Sequence, residues 1–129
     1  SGVLCVSPTV VSEVHEGATK KGDVRNSASL AAILAVKKTP LSLPHCHPIP
    51  IEGCNVEWQE VENGLKCVVT VSTTSKTGVE MEALCGVSTA LLCAWDMLKP
   101  ILKDSSGQYP DTKISDITVI SKLKIPTEN

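Results

Sequence analysis

The chain has 129 residues, 42% of them apolar, and a net charge of −2. That is one domain's worth of sequence, enough to bury a single modest core. The charge balance excludes the strongly basic field that holds nucleic acid without regard to sequence. No apolar run approaches the roughly 18 residues of a membrane span, and no secretory signal pattern is present. The expected partners are therefore neither nucleic acid nor a membrane.

Phe is absent, and Trp58, Trp95 and Tyr109 are the aromatic residues. The core must rest on Val, Leu, Ile, Ala and Cys, and a core of small aliphatics gains from burial between subunits, so an oligomer is expected. The six cysteines form no CxxC pair and mostly fall inside apolar patterns. They read as small buried hydrophobes in a reducing cytosol.

In chain order, Gly2 to Val6 is a short strand. Ser7-Pro8 is a helix start, a capping hydroxyl followed by proline at the first helical position. That helix runs to Glu16 and stops at Gly17. Asp23 caps a second, Ala-rich helix that ends at Lys37-Lys38, where cations suit the dipole, and Thr39-Pro40 breaks it. The proline-rich stretch Leu41 to Ile51 is expected to be irregular or extended. Cys54 to Val61 and Leu65 to Thr73 are strands joined by a tight Asn63-Gly64 turn. A long helix follows from Met81 to Leu102, with Pro100 kinking or ending it. Asp104 to Thr112 is a polar loop. Ser115 to Lys124 alternates as a last strand, and Ile125 to Asn129 is a frayed tail. Helices and mostly antiparallel strands in this order make one α+β domain over residues 1–129.

Four segments can carry chemistry. In Pro44-His45-Cys46-His47-Pro48 the prolines stiffen the backbone of two imidazoles, which suits a positioned acid or base. A metal set of His45, Cys46, His47 and Cys54 and a plain surface loop are the alternatives, and the spacing matches no common zinc pattern. In Thr77-Gly78-Val79-Glu80-Met81-Glu82 the two glutamates share a face only if the backbone there is extended, so that the helix starts near Glu82. Otherwise they simply stabilise a first helical turn. Asp96 and Lys99 can pair one turn apart in an apolar helix, as a catalytic or a structural ion pair. Cys85, Gly86, Thr89 and Cys93 lie between Glu82 and Asp96 on that helix and leave room for a ligand or for another helix. Lys20, Lys21, Arg25, Lys37, Lys38, Lys122 and Lys124 are either a phosphate site or solvated surface charge.

Taken in order, Lys21-Gly-Asp-Val24, Ala35-Val-Lys37-Lys-Thr39, Pro44-His-Cys-His-Pro48, Lys76-Thr-Gly-Val-Glu-Met-Glu-Ala-Leu84 and Trp95-Asp-Met-Leu-Lys99 resemble the cyclic pyranopterin monophosphate synthase family. The resemblance spans about Lys21 to Lys122. It implies a ferredoxin-like fold, an antiparallel sheet with helices packed on one face. It also implies a hexamer, a trimer of dimers with active sites between subunits. The implied activity is a lyase step of molybdenum cofactor biosynthesis in the cytoplasm. A small molecule, (8S)-3',8-cyclo-7,8-dihydroguanosine 5'-triphosphate, becomes cyclic pyranopterin monophosphate with release of pyrophosphate. By the same resemblance the catalytic residues are Lys21, Asp96 and Lys99, and the substrate-binding residues are Lys37, His47, Glu80, Met81, Glu82 and Lys122. No protein-bound metal or cofactor is implied, Mg²⁺ accompanying the triphosphate aside. The chain departs from the family at three places. Lys122-Leu-Lys124 stands where a Gly-Gly-Lys-Ser-Gly tail is usual, the loop Asp104 to Pro110 is longer, and the family's N-terminal segment with its substrate-binding arginine is expected to be missing before Ser1.

Overall fold

The computed structural model describes residues 1–17, 19 and 21–125. Lys20 and the last four residues of the expected tail lie outside the described residues. The elements are β1 (Gly2–Cys5), α1 (Pro8–His15), α2 (Val24–Lys37), α3 (Thr39–Ser42), β2 (Gly53–Val61), β3 (Gly64–Ser72), α4 (Glu80–Leu102) and β4 (Lys113–Ser115).

Both early helices begin where capping chemistry says they should. The Ser7 hydroxyl accepts from the Val10 amide at 3.3 Å with Pro8 in the first turn. The Asp23 carboxylate accepts from the Asn26 amide at 3.1 Å. Each satisfies a donor that the helix start leaves without an intrahelical partner. At the other end of α2, the fully buried Thr39 hydroxyl donates to the carbonyls of Ala35 at 3.0 Å and Val36 at 3.1 Å.

The strands form one antiparallel sheet in the order β2-β3-β1-β4. With α1 to α3 as one helical connection and α4 as the other, the chain follows the β-α-β-β-α-β path of a ferredoxin-like fold. Leu4 of β1 and Leu65, Cys67 and Val69 of β3 are buried against the helices. From above, α2 contributes Val24, Ala28, Ala32 and Val36, each four residues on, and α4 contributes Val87, Ala90, Leu91, Ala94 and Leu98. Leu4, Leu65, Leu91 and Leu98 are essentially inaccessible, and removing each such side chain from water contributes about 1.5–3 kcal/mol. By length and composition α4 could cross a membrane. Here it is the central helix of the core, with its apolar stripe under α2 and the sheet.

Gly86 fixes how the helices meet. A Cβ there would lie 2.8 Å from Val36 Cγ2 and 3.2 Å from Val69 Cγ1. The early part of α4 therefore crosses the late part of α2 at close range, and the two helices run in opposite directions. The small residues of this stripe serve, at Gly86, a neighbouring helix.

Four expectations change. The hairpin loop is Glu62-Asn63, because Val61 pairs with Gly64. Gly64 is already in the strand, where a Cβ would sit 2.6 Å from the Leu4 carbonyl oxygen, so its glycine serves close strand approach and not the turn. Pro40 stands in the first turn of the one-turn α3, so Leu41 and Ser42 are helical, a position proline tolerates. Pro100 does not end α4, which runs to Leu102. It sits in the last turn, where it removes the one amide that would otherwise reach the Asp96 carbonyl. The last strand is three residues long and not ten. Asp116, with φ 57°, turns the chain out of the ladder. Beyond it, among the described residues, one further pairing occurs, Ser1 with Thr118 through two hydrogen bonds of 2.9 and 3.0 Å. Residues 119–125 have no sheet partner, and Leu123 is 87% exposed.

Candidate active site

The opposed directions of α2 and α4 sort the polar residues into two groups. At one end the start of α2 lies beside the last turns of α4. At the other, the finish of α2 lies beside the first turn of α4.

The first group is built on Asp96 and Lys99. The Lys99 ammonium donates to Asp96 Oδ1 at 2.8 Å across one helical turn. This hydrogen bond and charge hold the Asp96 carboxyl below the usual carboxylate range, and the Lys21 ammonium lowers it further. Lys21 comes from the turn before α2, where Gly22 has φ 100°, a conformation glycine adopts without steric penalty. The Asp96 carboxylate in turn raises Lys99 above its ordinary value, with Tyr109 adding to the effect. One turn earlier, burial first and the Asp96 charge second push up the Cys93 thiol. The long loop is braced here. Tyr109 meets Trp95 edge-on with ring centres 5.2 Å apart. Asp104 Oδ1 accepts from the Ser106 and Gln108 amides, both at 2.9 Å, and from the Ser106 hydroxyl at 2.8 Å.

The second group surrounds the start of α4. The helix begins at Glu80, two residues before the start that would let the glutamates act on one face, so Glu80 and Glu82 point in directions about 200° apart. Glu80 forms an ion pair with Lys122 from the irregular final segment. This contact, chiefly the hydrogen bond from Lys122, holds the Glu80 carboxyl below its ordinary value. Glu82 turns inward and is 2% exposed. Its carboxylate accepts from the Cys46 thiol, Sγ to Oε2 3.5 Å. His45 and His47, on either side of Cys46, are exposed. Met81 lines a hollow of about 330 Å³ with Cys85, Ser88, Thr89, Lys38 and Ser42. Lys37, in the last turn of α2, pulls the Cys54 thiol down against the stronger upward effect of burial.

The expected residues thus fall into Lys21, Asp96 and Lys99 on one side and Lys37, His47, Glu80, Met81, Glu82 and Lys122 on the other. Within one chain the two groups do not meet: Glu82 and Asp96 are fourteen residues apart on one helix, about 21 Å at 1.5 Å per residue. Cys46, expected as a small buried hydrophobe or as a metal ligand, is instead the thiol bonded to Glu82. No pattern in the sequence points to it, because its partner lies 36 residues further on in α4. Among the described residues no three His, Cys, Asp or Glu side chains converge to hold an ion, so the set of His45, Cys46, His47 and Cys54 does not assemble.

A split β-α-β sheet with cations and carboxylates gathered at both ends of its helix pair defines a small ferredoxin-like α+β protein. The model of the MoaC family matches residues 1–124, and the chain belongs to that family. Among similar proteins, one from Aeropyrum pernix is 49% identical over 124 residues, covering 96% of this chain and 85% of that one. One from Methanospirillum hungatei is 48% identical over 124 residues, covering 96% and 80%. One from Thermococcus kodakarensis is 47% identical over 123 residues, covering 95% and 79%. Each bears the name probable cyclic pyranopterin monophosphate synthase.

Proposed function

We propose that this chain is a lyase of molybdenum cofactor biosynthesis. It converts (8S)-3',8-cyclo-7,8-dihydroguanosine 5'-triphosphate to cyclic pyranopterin monophosphate and pyrophosphate. The observation that carries this reading is the Lys21–Asp96–Lys99 cluster in a member of the MoaC family. The reaction opens one ring, forms the pyranopterin and closes a cyclic phosphate, so protons must be given and taken at several atoms. Lys99, raised by Asp96, enters as an ammonium and is suited to stabilise negative charge. Asp96 orients it. Lys21 is the second cation of the cluster. His47, Glu80 and Glu82 hold the guanine-derived ring or relay protons, Met81 contributes to binding the substrate, and Lys37 and Lys122 bind phosphate as point charges. Mg²⁺, a common companion of triphosphates, enters with the substrate and not as a resident ion.

The distance of about 21 Å along α4 exceeds the reach of hydrogen bonding or direct proton transfer. The site of this reading is therefore shared: the Lys21–Asp96–Lys99 end of one copy faces the His47–Glu82 end of another. A hexamer built as a trimer of dimers satisfies this, and the small-aliphatic core favours such burial. The free thiols of all six cysteines suit a cytoplasmic protein. Incubation with the cyclised dihydro-GTP should release one pyrophosphate per substrate and yield the cyclic phosphate pterin. Intact substrate after incubation with the assembled protein refutes the assignment.

A further inference from the structure

Resting on the reading that Glu82 belongs to the active site, we propose that Cys46 is a positioning residue for it. The Cys46 thiol fixes the Glu82 carboxylate in the orientation the substrate meets while leaving its charge free. Leu43 to Cys46 form a turn closed by the Cys46 amide donating to the Leu43 carbonyl at 3.0 Å, with Pro44 at the second position, where its fixed φ fits. Pro48 restrains the far side. The turn leaves His45 and His47 in solvent and brings Cys46, partly buried, against α4. There Sγ lies 3.5 Å from Glu82 Oε2 and 3.9 Å from the His47 carbonyl oxygen.

A carboxylate that is 2% exposed needs donors, because burying a charge without them is strongly unfavourable. Among the described residues the side chain that supplies one is Cys46. The choice of a thiol has a chemical consequence. A lysine or arginine there would lock Glu82 into an ion pair that a ligand must break. A thiol is a weak donor: it selects a rotamer without neutralising the charge, and among the described residues no second side chain is bonded to the Glu82 carboxylate. In return, burial and then the Glu82 charge push the Cys46 thiol above its ordinary value, which keeps it protonated and able to donate.

Three variants test this: Cys46→Ala, Cys46→Ser and Glu82→Gln. With the thermal midpoint monitored, Cys46→Ala should lower kcat/KM about fivefold to tenfold, the worth of one hydrogen bond to a buried group. Cys46→Ser, which keeps a donor, should stay within about twofold of wild type. Serine as poor as alanine, or alanine equal to wild type, overturns the proposal. The contact has its own readout. Only the thiolate attacks iodoacetamide, so removing the neighbouring charge with Glu82→Gln should speed alkylation of Cys46 at least about threefold at pH 8, followed by peptide mass spectrometry. An unchanged rate overturns the proposal even if Cys46→Ala does not fold. Wild-type protein that releases no pyrophosphate, with faster alkylation in Glu82→Gln, removes the functional reading and leaves the contact standing.

Discussion

Glu82 and Asp96 share one helix yet serve opposite ends of the helix layer. Glu82 lies in the first turn of α4, beside the turn that follows α2 and α3, and Asp96 lies near its finish, within the field of Lys21. The Gly86 crossing sets this arrangement, because it holds the two helices close and opposed. Each end carries part of the proposed set of acids and cations, and about 21 Å of helix separates Glu82 from Asp96 within one chain.

The Asp96–Lys99 pair is exposed, so it should matter to chemistry far more than to stability. Lys99→Ala should abolish turnover, measured by pyrophosphate release, with an almost unchanged thermal midpoint. Asp96 lies below its ordinary 3.8 and Lys99 above its ordinary 10.5. The pair's contribution is therefore lost as pH falls through the lowered Asp96 value or rises through the raised Lys99 value. Between about pH 6 and 8 both stay charged, so any change in rate across that window must come from other groups.

Asp23 links a helix cap to a proposed catalytic residue. Asp23→Ala removes the acceptor for the Asn26 amide and should lower stability by about 1 kcal/mol in urea unfolding. Because Lys21 stands two residues earlier in the same turn, kcat/KM should fall as well. A loss of stability with full activity would separate the cap from the site.

Gly86→Val should destabilise the fold by about 1–3 kcal/mol, the usual range for overpacking. Its first side-chain carbon would already stand 2.8 Å from Val36. Urea unfolding of wild type and variant checks this, and a variant as stable as wild type would show that α2 can move away freely.

Cys67 is fully buried, and burial pushes its thiol up to about 12 from an ordinary value of 9.0. In the unfolded chain the thiol ionises first, so the folded state should lose stability as pH climbs from about 9 towards 12. Cys67 should also be the last cysteine alkylated in the native protein. Early modification of Cys67, read by peptide mass spectrometry, would contradict the buried position.

Much of the fold was legible because it is written locally. Ser7-Pro8 and Asp23 place two helix starts, the alternation around Cys67 places a central strand, and the stripe from Val87 to Leu98 marks the core face of α4. What was not legible depends on partners distant in sequence. The pattern from Ser115 to Lys124 alternates like a strand, but a strand needs a ladder, and among the described residues pairing beyond Asp116 is limited to Ser1 with Thr118. Asn63-Gly64 looks like a turn, yet the glycine answers to Leu4 on a strand sixty residues away. At the site, the spacing of Glu80 and Glu82 allowed two readings until the helix start was known. The link from Cys46 to Glu82 spans 36 residues and has no sequence signature.

The shared site is tested most directly by mixing two inactive variants. Glu82→Gln and Lys99→Ala each damage one end of every chain, so each alone should be inactive or nearly so. Dissociated, mixed in equal amounts and reassembled, random pairing into dimers should restore about a quarter of wild-type pyrophosphate release, because half the dimers are mixed and each then carries one intact site. A mixture that assembles normally and stays as inactive as its components contradicts the account.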